Sequence, residues 1–381
     1  MPLPDPLPLP EGIRSRFIEE VNGLTMHLLE AGYETPGRPL LLLLHGFPEL
    51  AFSWRKVMVP LAEAGYHVVA PDQRGYGQTT GWDSSYHSDV SRFHLLAIVR
   101  DALQLVASLG YKDVAAVIGH DFGSPVAAYA ALIRPDIFKS VVLMSAPYAG
   151  PPNFKSRPTV GGSIHEELAR LPRPRKHYQW YYSTLEANDD MMGAEDGLHK
   201  FLRAYFHNKS ADWLENKPYP LKGWTADELA KMPTYYIMDH AQTMAESIAP
   251  HMPTTDAVAA CTWMTEEEMA VYTAMFQKTG FQGGLQWYRC MTDPYQAAAL
   301  QLFAGKTIDV PTMFIAGKQD WGVYQKPGDF ERMQTSACTS FKACHLIDGA
   351  GHWVQQEQPE ACLRHLLNFV KEHAPVLPGL G

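Results

Sequence analysis

The chain is poor in cysteine, in clustered positive charge and in long apolar runs, and each shortage removes a class of function. Its five cysteines, Cys261, Cys290, Cys338, Cys344 and Cys362, are odd in number and scattered, with no CxxC pair. That pattern argues against a disulfide framework or a zinc site and for free buried thiols in a reducing compartment. Lys and Arg number 32 against 41 Asp and Glu, giving a formal charge of −9 with no basic tract to offset it. Nucleic acids and anionic membranes are therefore not expected partners, because phosphate binding needs clustered Lys and Arg. No apolar run approaches a bilayer span. The Pro-rich opening MPLPDPLPLPEG lacks a basic segment followed by an apolar one, so it reads as an extended strap or loose tail, not a signal peptide. A cytoplasmic location is the expectation. The chain also lacks an internal repeat, and it has no GxSxG at a strand–helix junction, which argues against a serine esterase.

What is present suits a compact globular enzyme for small molecules: 46% hydrophobic and 19% charged residues over 381 positions, enough to bury a large core. The segment from Phe17 to Ala31 alternates around Asn22-Gly23, a hairpin signal. Apolar runs at 39–44, 66–70, 113–118 and 140–144 read as strands, and 51–64, 90–109 and 124–133 read as helices. Such alternation predicts an α/β fold with a mostly parallel sheet flanked by helices. From Pro147 to about Tyr295 the chain turns to Trp, Tyr, Met and Pro, with few strand-like segments. Capping-box patterns at Ser163–Glu166, Thr225–Glu228 and Thr265–Glu268 predict a helical insertion there. Strand–helix alternation returns with strands at 310–316 and 341–347 and helices at 326–333 and 360–372. The expected organisation is a core over 1–146, a helical cap over 147–297 and the rest of the core over 298–381.

The chemistry concentrates at strand ends. Gly119-His120-Asp121-Phe122-Gly123 joins a β-branched run to an apolar helical one, with Pro125 where a first turn tolerates it. A G-x-nucleophile-x-G turn between strand and helix lifts one side chain above the sheet edge. Asp in that place favours attack on an alkyl carbon to leave an ester; a helix-capping surface Asp is the alternative. Asp320 in AGKQDWG and His352 in GAGHW also follow strand ends, so nucleophile, acid and histidine occur in the order of a hydrolase triad. Taken singly, Asp320 could be a turn residue and His352 a cap. The His45-Gly46-Phe47-Pro48 turn could bring the Phe47 N–H beside that of Phe122 as an oxyanion hole. In PDQRGYG, Asp72 and Arg74 are expected to pair with each other, with no catalytic part.

Taken together, HGFP (45–48), DQRGYG (72–77), GHDFG (119–123), KQD (318–320) and GHW (351–353) resemble the soluble epoxide hydrolases of the α/β-hydrolase fold superfamily. HYQWYY (177–182) and GFQGGLQWYR (280–289) match as well, so the likeness runs from about Ile13 to Val370. One departure is Phe122, where that family often carries Trp. The resemblance implies two tyrosines whose hydroxyls hold the epoxide oxygen, at Tyr178 and Tyr288, though Tyr181 and Tyr182 lie within one helical turn of Tyr178. Phenols stay protonated near neutrality and can donate. Trp180, Tyr181, Tyr182, Trp287, Trp321, Trp353 and Pro48 are expected around the substrate pocket, with core packing the alternative for the first three.

The expected reaction converts an apolar epoxide and water to a vicinal diol, without metal or organic cofactor, in a monomer or homodimer. Asp121 attacks, Tyr178 and Tyr288 donate, and His352 oriented by Asp320 activates water against the resulting ester. A haloalkane or haloacid dehalogenase shares the Asp and His. The haloalkane enzymes usually carry Asn and Trp where this chain has Phe47 and Phe122, and the fluoroacetate type carries Arg after the nucleophile. A non-catalytic ligand receptor on the same shell is the third reading, although such proteins usually lose a triad member.

Overall fold

The computed structural model describes residues 7–154 and 163–374, so part of the Pro-rich opening segment lies outside the described residues. The strands are β1 (Ile13–Val21), β2 (Leu24–Ala31), β3 (Leu40–Leu44), β4 (His67–Pro71), β5 (Ala116–His120), β6 (Val141–Met144), β7 (Arg175–His177), β8 (Ile237–Asp239), β9 (Thr312–Gly317) and β10 (Phe341–Ile347). Eight of them form one sheet in the order β1-β2-β4-β3-β5-β6-β9-β10. The β1–β2 and β2–β4 pairs are antiparallel, and the pairs from β4–β3 to β9–β10 are parallel. This is the α/β-hydrolase fold with its mostly parallel sheet.

Period-two alternation sorts each central strand between two cores. Leu40, Leu42 and Leu44 of β3 face one side with Val117 of β5, and Leu41 and Leu43 face the other with Ala116 and Ile118. Every residue of β3 is buried, each leucine contributing roughly 2 kcal/mol. The helices Leu95–Ser108 and Gly123–Ile133 cover the first side, and Arg55–Glu63 and Pro359–His373 cover the second. Between β6 and β9 the chain is mainly helical, and β7 and β8 pair there as a short antiparallel ribbon that its aromatic-rich sequence did not announce.

Several local expectations need correcting. The helix read over 90–109 is split: a 3-10 turn covers Val90–Phe93, and His94 then leaves helical geometry and accepts from the Leu96 N–H through Nδ1 at 3.1 Å. The helix read over 326–333 starts at Asp329 and runs on as a π-turn through Met333–Ala337. Of the three capping patterns only Thr265–Glu268 closes in both directions. Glu166 turns instead to Arg170, and Glu228 to the Lys222 N–H and Lys231. A full box forms at Thr243–Glu246, unexpected from the sequence.

Asp72 and Arg74 do not pair. Arg74 forks onto both oxygens of Asp101, at 2.7 and 2.8 Å, because the helix Leu95–Ser108 presents that carboxylate edge-on. Asp72 sits just past β4 and turns back to the neighbouring strand, where its Oδ2 lies 2.7 Å from His27 Nδ1. It also accepts the Ala51 and Gln78 N–H groups at 2.8 and 2.9 Å. Burial raises its pKa, but His27, the charge of His45 and the Gln78 N–H outweigh burial and bring it down to about 2. Lying below the unfolded value of about 3.9, it adds stability that is complete above that pH and lost as pH falls toward the folded value. Asp72→Asn is expected to lower the unfolding free energy by about 3 kcal/mol near neutral pH, with the difference from the native protein shrinking below about pH 4. Urea titrations of both proteins across that range measure it.

Candidate active site

The β5 strand ends by delivering Asp121 into a left-handed backbone, φ +51°. A non-glycine residue there is strained, and the neighbours hold it. The Asp121 N–H donates to Met144 O at 3.1 Å, and its carbonyl accepts from Ser124 N at 3.0 Å. A Cβ on Gly119 would lie 2.0 Å from Gly123 O, and one on Gly123 would lie 2.1 Å from Leu44 O. Only glycine fits both places, so the elbow is fixed by close backbone approach.

The structure brings Asp121, His352 and Asp320 together from three strand ends. His352 Nε2 is 3.1 Å from Asp121 Oδ2, and its Nδ1 is 3.1 Å from both oxygens of Asp320. Phe47 N–H donates to Asp121 Oδ1 at 2.9 Å, and Gly322 N–H donates to Asp320 Oδ1 at 2.7 Å. Burial pushes the Asp121 pKa up, but the His352 bond and charge, with the charge of Lys209, hold it well below the carboxylate range. Burial acts in the same way on Asp320, and His352 again outweighs it. For His352, burial and Lys209 favour the neutral ring while the two carboxylates favour the cation; the carboxylates win and its pKa rises. The resting imidazole therefore holds its proton more firmly than a free histidine does.

The backbone at His352 is held as tightly. Its N–H donates to Lys209 O at 2.8 Å, and its carbonyl accepts from Ser145 Oγ at 3.1 Å and His120 Nε2 at 2.7 Å. On the other side of that ring, His120 Nδ1 is 2.5 Å from Glu49 Oε2, which also accepts the Gly46 N–H at 3.0 Å. Glu357 accepts the Gly351 and Trp353 N–H groups at 2.9 Å each and that of Ala211 at 2.7 Å. These buried supports went unassigned in the sequence. Glu49 directly follows the HGFP turn and His120 directly precedes Asp121, which was the available signal; Lys209 gave none.

A cavity of about 310 Å³ opens over Asp121, within the size range of small-ligand pockets. Phe122, Tyr178, Trp287 and Tyr288 line it with Asp121, alongside Tyr129, Tyr148, Met291 and Leu300. Burial raises the Tyr178 and Tyr288 pKa values well above the usual phenol value; Asp121 raises both further, so both hydroxyls stay protonated donors. Tyr178 donates to Gln325 Oε1 and accepts from Gln179 Nε2, both at 3.1 Å. Among the described residues no three metal-ligating side chains cluster, and no helix is long and apolar enough to cross a membrane. All five cysteines are free, although Cys261 and Cys344 are only partly buried.

Six of the aromatic and proline positions expected around the pocket do not line this cavity. Tyr181 points away to Asp190 Oδ2 at 2.9 Å, and Trp180 packs on His165 and His177. Tyr182 is sealed between Phe47 and Tyr288, with ring centroids 5.1 and 5.0 Å away. Trp321 lies against Tyr219, and Trp353 stacks on Phe206 and donates to its carbonyl at 2.8 Å. Pro48 is buried behind Phe47 at a cis bond. A four-residue helix turn exposes each residue to a different neighbour, which aromatic content alone does not resolve. Trp287 does line the cavity, but its N–H is already donated to Arg74 O at 2.9 Å.

Residues 39–359 match a family model described as the alpha/beta hydrolase fold. The chain is 31% identical to epoxide hydrolase A of Mycobacterium tuberculosis, covering 94% of this chain and 98% of that one. It is 32% identical to epoxide hydrolase B of the same organism, covering 87% and 91%. Among solved structures, an epoxide hydrolase from an endophytic Streptomyces superposes with a TM-score of 0.75 at 28% identity, covering 95% of this chain and 96% of that one. The fold, the strand-end site and these matches define the class: the chain belongs to the α/β-hydrolase-fold family. Within it the chain groups with the epoxide hydrolases and is an enzyme of the hydrolase class.

The turn at Gly46 offers a direct test of the geometry. A Cβ there would lie 2.3 Å from Asp121 Cβ and 2.5 Å from its Oδ1, so Gly46→Ala must displace that side chain. Misplacement of about 1 Å is expected to lower kcat/KM for an epoxide about 100-fold. Steady-state kinetics, with the thermal midpoint recorded alongside, separates this loss from unfolding.

Proposed function

We propose that this enzyme converts apolar epoxides to vicinal diols through an ester on Asp121, with the helical insertion over 147–297 acting as the cap that carries the two tyrosines. The observation that supports it best is one cavity lined by a carboxylate, Asp121, and by two protonated phenols, Tyr178 and Tyr288, with His352 bonded to the same carboxylate. The phenols and the carboxylate suit a strained ether: one end of the C–O bond needs a nucleophile and the other a proton.

In the first step an Asp121 oxygen forms a bond to a ring carbon as the C–O bond breaks. The opened oxygen takes a proton from Tyr178 or Tyr288, which regains one from solvent. Phe47 N–H already holds Oδ1, so Oδ2 is the attacking atom and Oδ1 becomes the ester carbonyl. Alkylation removes one of the two anions beside His352, so the ring gives its Nε2 proton to solvent and Nε2 is free to accept another. The ring then takes a proton from water, and hydroxide adds to the carbonyl carbon. Phe47 and Phe122 N–H groups hold the oxyanion; Phe122 stands at the N-cap of the helix Gly123–Ile133, where amides lack an intrahelical acceptor. The tetrahedral centre collapses with loss of the diol alkoxide, which takes its proton from the imidazolium. Asp320 keeps the ring oriented and balances its charge.

Two tests follow from these roles. Asp121→Ala is expected to abolish diol formation from racemic styrene oxide or an epoxy fatty acid, and His352→Gln to accumulate protein heavier by one substrate. An unmodified intact mass in His352→Gln after exposure to a good epoxide contradicts the covalent route. Tyr178→Phe and Tyr288→Phe are each expected to slow ester formation by roughly 100-fold, the loss typical of one oxyanion donor. Equal loss at Tyr181→Phe in rapid-quench measurements moves the role from Tyr178 to its neighbour.

A further inference from the structure

We propose that Lys209 is a positioning residue for the second half-reaction: its buried ammonium, caged by aromatic rings beside the triad, holds His352 in the proton-accepting state once Asp121 has become an ester. This rests on the two-step reading above. Lys209 closes the helix Leu198–Lys209 and is 4% exposed. Its Nζ lies 5.4 Å from the ring centroid of Tyr205, 5.2 Å from Tyr236 and 5.4 Å from Trp353. Three ring faces offer a cation partial compensation for lost water. Burying a charge without a close counter-ion is costly, and among the described residues Lys209 makes no ion pair. Its charge acts instead on Asp121, Asp320 and His352.

The backbone fixes that placement. Lys209 O accepts the His352 N–H, and a Cβ on Gly351 would lie 2.5 Å from the same carbonyl. The Lys209 main chain is thus tied to the histidine loop, and the three rings enclose the ammonium beside it.

The charged and titratable groups around His352 are Asp121 and His120 at the end of β5, Asp320 after β9 and Lys209 from the insertion, with Glu49 behind His120 and Glu357 on the Gly351 and Trp353 N–H groups to either side of His352. In the resting enzyme two anions face the ring and Lys209 opposes them. An ester at Asp121 removes one anion, so Asp320 alone stands against Lys209 and burial. The same ammonium favours the oxyanion that forms on Asp121 when hydroxide adds. Both effects speed ester hydrolysis, and neither aids attack by the carboxylate, whose charge Lys209 steadies.

The test compares native protein with Lys209→Met, Lys209→Gln and Lys209→Arg in single-turnover rapid-quench experiments, reading ester and diol by intact mass and chromatography from about pH 5 to about 9. In the two neutral variants the acid limb of ester hydrolysis is expected to move up by about one pH unit, the scale of one charge at intermediate dielectric. Hydrolysis below the limb slows about tenfold, ester accumulates, and the rate of ester formation stays within about twofold. Lys209→Arg restores the limb. A neutral variant that folds, forms ester and keeps the native limb overturns the proposal while leaving the two-step reading intact. Folding of Lys209→Arg but of neither neutral variant assigns the charge to stability alone and overturns it as well. Absence of ester in every protein, His352→Gln included, instead removes the two-step reading.

Discussion

A buried carboxylate is costly unless donors and opposite charge hold it, and this molecule buries two, Asp121 and Asp320, on either side of one imidazole. Neither position is affordable alone. His352 must stand between them within hydrogen-bond reach of both, which fixes the ring to a small volume. The surrounding supports answer that demand. Lys209 O, Ser145 Oγ and His120 Nε2 hold the His352 main chain, while Phe47 N–H and Gly322 N–H take one oxygen from each carboxylate.

The same demand ties the insertion to the sheet. Lys209 O, Ala211 N–H and Phe206 O all come from the helical segment, and they bind the loop from Gly351 to Trp353 directly or through Glu357. Burial raises the Glu357 pKa to about 8, yet its two oxygens accept three backbone N–H groups. A protonated acid would turn a donor toward one of those amides, so the geometry describes the carboxylate. Arg55 adds a second tie, from the core to Glu268 on the insertion helix Glu266–Thr279. Displacing this segment would break its hydrogen bonds to the histidine loop.

The strand ends were legible because each follows a short apolar run that has one place in a parallel sheet. Once β5, β9 and β10 are read, Asp121, Asp320 and His352 have little freedom. Less legible were partners set by packing between elements. Asp72 and Arg74 stand two residues apart in a charged loop, yet each finds its partner on a different element, at His27 and Asp101. The aromatic stretch from Tyr178 to Tyr182 shows the same limit: its composition announces an apolar environment, while the turn decides that Tyr178 reaches the cavity and Tyr181 reaches Asp190. Lys209 was invisible for a related reason, since a lysine at a helix end is ordinarily a solvated one.

Reaction and stability draw on the site in opposite directions. Asp121 sits at positive φ, its carboxylate is desolvated, and the phenols above it are buried in the apolar wall of the cavity. Each of these raises the free energy of the folded state, and each serves the proposed chemistry: a partly dehydrated carboxylate, donors that keep their protons, and an imidazole whose proton affinity depends on the charges beside it. The fully buried β3 and the two sheet-side cores carry the compensating stability. In the proposed two-step reaction, alkylation of Asp121 removes one of the charges that set the proton affinity of His352, so the first step prepares the second.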